Sequence, residues 1–172
     1  MLYMTCTHSV SPVHPFYGND TCAEIMLPLS AAQQALARNT GLLTEIAVTP
    51  VGGPMTRTLL YETAALSILA TVSGSSGLLG PRSAAGAIPG HISPLEARFM
   101  AETAHAAAGM SRTEANRIVC GLYEKYRDDL DKRPIGSSFE DVYDLRTLQP
   151  NSEWEAVYED VSAELTVMGL KL

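Results

Sequence analysis

Four residues near the start of the chain carry side chains that suit a metal ion: Cys6, His8, His14 and Cys22. Thiolate and imidazole are ligands that zinc favours. Their spacing, C-x-H-x5-H-x7-C, lacks the paired intervals through which a short loop presents two ligands to one ion. A strand with one buried thiol and two loop histidines accounts for the same residues, so no metal site is assigned. His14 is the better single candidate. It closes "SPVH" just after a predicted strand, where α/β folds place ligand groups. An imidazole titrates at about pH 6.5 when unperturbed and suits acid–base work. A hydrogen-bonded structural role is the commoner use of a lone histidine. Glu45 interrupts an apolar strand, and faces either a pocket or solvent. His14 and Glu45 are therefore the pocket candidates.

Other segments offer less. "SGSSGLLGPR" could cradle an anion on free backbone N–H groups with help from Arg82. It has no P-loop lysine, and G-x-S-x-G is absent as well, so a plain loop is the favoured reading. His105 sits in an alanine-rich helix and reads as packing or solvent-facing, and "YEKYRDDLDKR" reads as a solvated helix end.

Residues 3–10 alternate loosely and predict a first strand. Pro12 and Pro15 forbid regular structure after it. "TCAE" predicts a capping box, Thr21 with Glu24, opening a helix to Arg38 that Pro28 should kink or divide. "LLTEIAVTP" predicts the second strand. Pro54 suits the first position of the next helix, which runs through "MTRTLLYETAALSILATVSG". That helix is apolar around most of its circumference, so it needs covering on more than one side. A short third strand falls at "LLGP" or "AAGAI". Ser93–Glu96 and Ser111–Glu114 are capping boxes for two further helices, with Gly109 as a left-handed stop between them. A last amphipathic helix starts near Ser152, buries Trp154, Val157, Tyr158, Val161, Leu165 and Met168, and stops at Gly169.

Early strand–helix alternation argues for a parallel sheet, and the late part is all helix. The fold class is α/β: two to three parallel strands (residues 1–92), then a helical C-terminal extension (residues 93–172). Two or three strands are too few for a closed β/α barrel, which takes eight strands and typically ~250 residues.

The chain has 172 residues, 46% hydrophobic and 18% charged, with a net charge of −7. A core of good size follows. Nucleic acid is not an expected partner, because binding it rests on Lys and Arg neutralising phosphates. Three cysteines suit a reducing, cytoplasmic setting rather than a disulfide scaffold. No stretch is long and apolar enough to span a membrane, and the first residues lack the pattern of a signal peptide.

Four blocks carry a family resemblance: "SPVHPFYGNDTCAEIM", "PVGGPMTRTLLYETAALSILATVSG", "SPLEARFMAETAHAAAG" and "SFEDVYDLRTLQPNSEWEAVYEDVSAELTVMGL". Their order and content resemble the late region of the monomethylamine–corrinoid protein methyltransferases. The tail is the most specific, with Phe139, Tyr143, Asp144, Thr147, Pro150, Tyr158, Leu165, Gly169 and Leu170 in step. The resemblance implies the C-terminal part of a β/α (TIM) barrel with extra helices, in a homo-oligomer or beside full-length subunits. It implies methyl transfer from a methylamine to a corrinoid protein. The corrinoid sits on that partner, so this chain binds no cofactor directly. The family's pyrrolysine lies in an earlier segment, so the isolated chain is expected to be inactive. A non-catalytic assembly module contacting the corrinoid protein or full-length subunits is the alternative. His14 matches the family's own "PVH". Ala47-Val48-Thr49 stands where the family has Gln-Tyr-Tyr, which removes polar pocket groups.

Overall fold

A computed structural model describes residues 8–10 and 12–172. The first strand, β1, is His8–Val10; residues 3–7 of the predicted strand lie outside the described residues, as does Cys6. Then come α1 (Ala23–Asn39), β2 (Thr44–Ala47), α2 (Arg57–Ser73) and β3 (Gly77–Leu79). The strands form one parallel sheet in the order β1-β2-β3, with Glu45 level with Ser9 on one side and Gly77 on the other. Helices α3 (Pro94–Ala107) and α4 (Arg112–Tyr126) follow, then a short α5 (Phe139–Val142). An antiparallel pair, β4 (Tyr143–Asp144) and β5 (Gln149–Pro150), leads to α6 (Ser152–Met168). Neither α5 nor this pair announces itself in the sequence, being too short for a hydrophobic period to register.

Several predicted details change. Cys22, not Thr21, is the residue before α1, and its side chain makes no capping hydrogen bond. The Thr21 hydroxyl donates instead to the buried Glu62 carboxylate, a tertiary partner that outcompetes the local cap. Pro28 lies within a single continuous α1. The carbonyl that the proline leaves unpaired is that of Glu24, an exposed residue that water can reach. Pro54 does not open α2. Met55 turns into the left-handed region at φ 73, and Thr56 becomes the cap, its hydroxyl accepting from the Leu59 N–H. Of the two places for a third strand, "LLGP" holds β3, while "AAG" forms a turn of 3-10 helix.

The α3 and α4 starts form as read. The Glu114 carboxylate accepts from Ser111, and the Glu96 carboxylate accepts from both the N–H and the hydroxyl of Ser93.

Helix α2 is the centre of the molecule. Residues 58–68 are all buried. One face meets β2 through Leu66 and Ala70, in a cluster with Ile46, Val48, Met26, Leu29 and Met100. The rest is enclosed by α3, α4 and α6, through Phe99, Ile118, Leu122, Tyr126, Trp154, Val161 and Leu165. The covering that so apolar a helix needs thus comes from the chain's own later helices. Each fully buried Leu or Ile there contributes roughly 1.5–3 kcal/mol.

Trp154 locks α6 to this core. Its ring is wholly buried, and its Nε1–H donates to the Ser93 hydroxyl at 3.0 Å. Glu96 and Ser83 extend the contact to the segment after β3, with Ser83 donating to Glu96 at 3.0 Å. Trp154→Ala is expected to cost about 3–5 kcal/mol, the usual range for emptying a buried aromatic site. Urea denaturation measures it, and a loss below about 1 kcal/mol would show that α6 is not anchored there.

Candidate functional site

In open α/β sheets, ligands sit past the carboxyl ends of the strands. Here that end is built from residues 12–22 after β1, 48–56 after β2 and 80–93 after β3. Within and beneath these loops lie buried polar side chains: Asn19, Asp20, Thr21, Thr49, Glu62, Ser83, Ser93 and Glu96.

Glu62 ties the first two loops to α2. Its carboxylate accepts from the Thr21 hydroxyl, from the Val51 N–H at 3.0 Å and from the Gly52 N–H at 2.9 Å. Gly52 must be glycine, since a Cβ there would lie 2.5 Å from the Leu59 nitrogen. The Tyr126 hydroxyl donates to the Thr21 carbonyl at 2.7 Å and fixes the same loop from α4. Asp20 accepts from the Thr49 N–H at 2.7 Å. Its second oxygen, the Thr49 hydroxyl and the Asn19 amide oxygen are buried without a hydrogen-bond partner among the described residues. Buried polar groups are seldom left so, and those that are often mark functional positions or ordered water.

Burial pushes the Asp20 carboxyl up to about 7, against the hydrogen bond from the Thr49 N–H and the nearby Arg82 charge. Burial likewise pushes Glu62 up to about 7, against the donors from Thr21, Gly52 and Val51. The Glu96 carboxyl is raised by burial too. Burial pushes the Cys22 thiol up to about 11, so it is a packed thiol rather than a ready thiolate ligand.

The two predicted pocket residues stand apart. His14 shapes the first loop: its Nδ1 accepts from the Phe16 and Tyr17 N–H groups at 3.3 Å each, and its ring stacks on Tyr17 at 4.6 Å. Glu45 sits mid-strand. Thr44, Ile46 and Val48 point to the helices, so Glu45 and Ala47 lie on the opposite face. The Glu45 side chain runs beside Gly77, where a Cβ would come within 3.2 Å of its Cγ. No hydrogen bond joins His14 to Glu45 among the described residues.

The suspected anion loop spends its donors internally. The N–H groups of Ser75, Ser76 and Arg82 go to the carbonyls of Ala70, Thr44 and Val48. Arg82 and His105 are exposed. Among the described residues no group of three or more His, Cys, Asp or Glu is set to hold a metal ion. Tyr126, inside the run read as a solvated helix end, is fully buried.

Asp20 and Glu62 escaped the sequence reading. A signal was available for Glu62, the lone acid inside "LLYETAALSIL". A charge on an all-buried helix has to meet donors somewhere.

A parallel β/α sheet with helices on one face and polar groups gathered past its strand ends defines a protein of the α/β class. The particular family follows from comparison. The family model described as monomethylamine methyltransferase MtmB matches residues 1–170. Monomethylamine methyltransferase MtmB of Methanosarcina mazei and MtmB1 of Methanosarcina barkeri are each 32% identical over 163 residues, 95% of this chain. The crystal structure of the M. barkeri enzyme superposes with a TM-score of 0.93 over 96% of this chain at 32% identity. A hydroxylamine complex of MtmB gives 0.94. The chain belongs to the MtmB monomethylamine methyltransferase family and corresponds to its C-terminal portion. It spans 36% of the length of each of these relatives.

The two raised carboxyls set a pH dependence. Their ordinary values are 3.8 and 4.5 and their folded values about 7, so between about pH 4 and 7 the folded state binds protons that the unfolded chain has lost. Their contribution to stability is fully present below pH 4 and declines as pH rises through 7. Asp20→Asn with Glu62→Gln is expected to flatten that decline, measured by urea denaturation at pH 5 and pH 8. An equal pH slope in wild type and variant would contradict the assignment.

Proposed function

We propose that this chain forms the C-terminal part of a β/α barrel which transfers a methyl group from a methylamine to a corrinoid protein. Residues 1–92 supply barrel strands and their helices, and residues 93–172 the helical extension that covers them. What supports the reading most is the superposition on solved MtmB over nearly the whole chain, at 32% identity. The parallel order β1-β2-β3 fits a barrel segment, since among the described residues the outer edges of β1 and β3 pair with no other strand.

In this reading Glu45 lies on the helix-free face, the face a barrel turns inward, and is the chain's inward carboxylate. His14 supports the rim. Ala47, fully buried, stands where the resemblance puts a glutamine, so this portion carries fewer polar groups for an amine. The corrinoid belongs to the partner protein and supplies the methyl acceptor, and the chain itself holds no cofactor. Its partners are that corrinoid protein and further subunits of the same family. Its place is the cytoplasm, which suits the free thiols of Cys22 and Cys120. Among the described residues no helix is long and apolar enough to cross a membrane.

The chain assayed alone is expected to transfer no methyl group from mono-, di- or trimethylamine to a reduced corrinoid protein. Spectroscopic detection of methylated corrinoid above a blank without the chain would contradict the reading.

A further inference from the structure

The connection from α4 to α5 takes an unusual course. It crosses the carboxyl end of the sheet and bonds to the loop after every strand. The Arg133 guanidinium donates to the Phe16 carbonyl in the loop after β1. In the loop after β2, the Gly53 N–H donates to the Pro134 carbonyl at 2.9 Å, and the Ser137 N–H donates to the Pro54 carbonyl at 3.0 Å. Beyond β3, His91 Nδ1 lies 2.8 Å from the Ile135 carbonyl oxygen, and the Phe139 N–H donates to the Gly90 carbonyl at 2.7 Å.

Two glycines make the crossing possible. A Cβ on Gly53 would fall 1.7 Å from the Ile135 oxygen, and one on Gly136 would fall 2.0 Å from the Pro54 oxygen. The backbones therefore touch face to face, with no side chain between them. Left-handed conformations gather on both sides of this contact: Met55 at φ 73, Arg133 at φ 48 and Gly136 at φ 64. For Met and Arg such a conformation is unfavourable and persists only where the surroundings impose it. A connection that merely followed the surface would need neither the glycines nor these turns.

We propose that residues 133–139 are a strap that sets the relative positions of the three loops at the carboxyl end of the sheet. Through it the helical extension shapes the end of the molecule where a ligand binds. Arg133 and His91 are its side-chain anchors, and Gly53 and Gly136 its contact point. They act on a ligand through the loops and are positioning residues. That a ligand binds at this end rests on the reading under "Proposed function"; the strap itself does not.

Hydrogen–deuterium exchange on the full chain tests the strap without any methyl-transfer assay, so failure of either claim can be told from failure of the other. Gly136→Ala is expected to raise exchange at least tenfold in residues 14–19, 50–56 and 88–92, while α2 and α4 stay protected. Arg133→Ala with His91→Ala should accelerate 14–19 and 88–92, and it decides the matter if Gly136→Ala does not fold. Acceleration confined to residues 130–139 in either variant would overturn the proposal, because the loops would then hold their positions unaided.

Discussion

A sheet of three parallel strands leaves two edges whose backbone groups point outward. Those groups need hydrogen bonds, and an edge that no chain covers invites pairing with another. In this protein the constraint shapes everything nearby. Parallel strands require crossover helices, and α1 and α2 lie against one face of the sheet, Met26, Leu29, Leu66 and Ala70 packing with Ile46. The helix-free face carries Glu45 and Ala47, and Leu79 on β3 is exposed at the outer edge. The barrel proposed above would answer both needs at once, since closing a sheet removes its edges and turns one face inward.

The same geometry explains where the polar groups sit. Residues 58–68 of helix α2 are all buried, so its one acid, Glu62, has no route to water. It bonds instead to the backbone of the loop after β2 and to Thr21, and holds two loops to the most buried element of the fold. Asp20 fastens the first loop to the loop after β2 and, among the described residues, keeps one oxygen unpaired. From above, the connection after α4 binds all three loops. The loops are thus pinned from below by side chains and from above by backbone bonds together with the Arg133 and His91 side chains.

Local signals were legible in the sequence and tertiary ones were not. Ser93–Glu96 and Ser111–Glu114 form the predicted caps because both partners of each are neighbours in the chain. Thr21–Glu24 has the same pattern and does not form, because Glu62, distant in sequence, takes the Thr21 hydroxyl. Pro54 looked like a helix start, yet the close approach of Gly53 to Ile135 forces a turn first. The strap left little trace in the sequence: three of its five bonds join backbone to backbone and select no side chain, and the carbonyls that Arg133 and His91 meet are distant in the chain. The apolar girth of α2 was plain in the sequence, but its covering by α4 and α6 of the same chain could be seen only in the fold. Any association of the chain therefore rests on the sheet edges rather than on this helix.

The central claim is that these edges belong to a larger closed sheet. Sedimentation velocity of the purified chain at micromolar concentration, read together with binding of a hydrophobic dye, tests it most directly. Net stability is only about 5–15 kcal/mol, so a few uncovered apolar residues decide the outcome. The account predicts association or aggregation with dye bound. A cooperatively unfolding monomer that binds no dye would contradict it and show a self-sufficient domain.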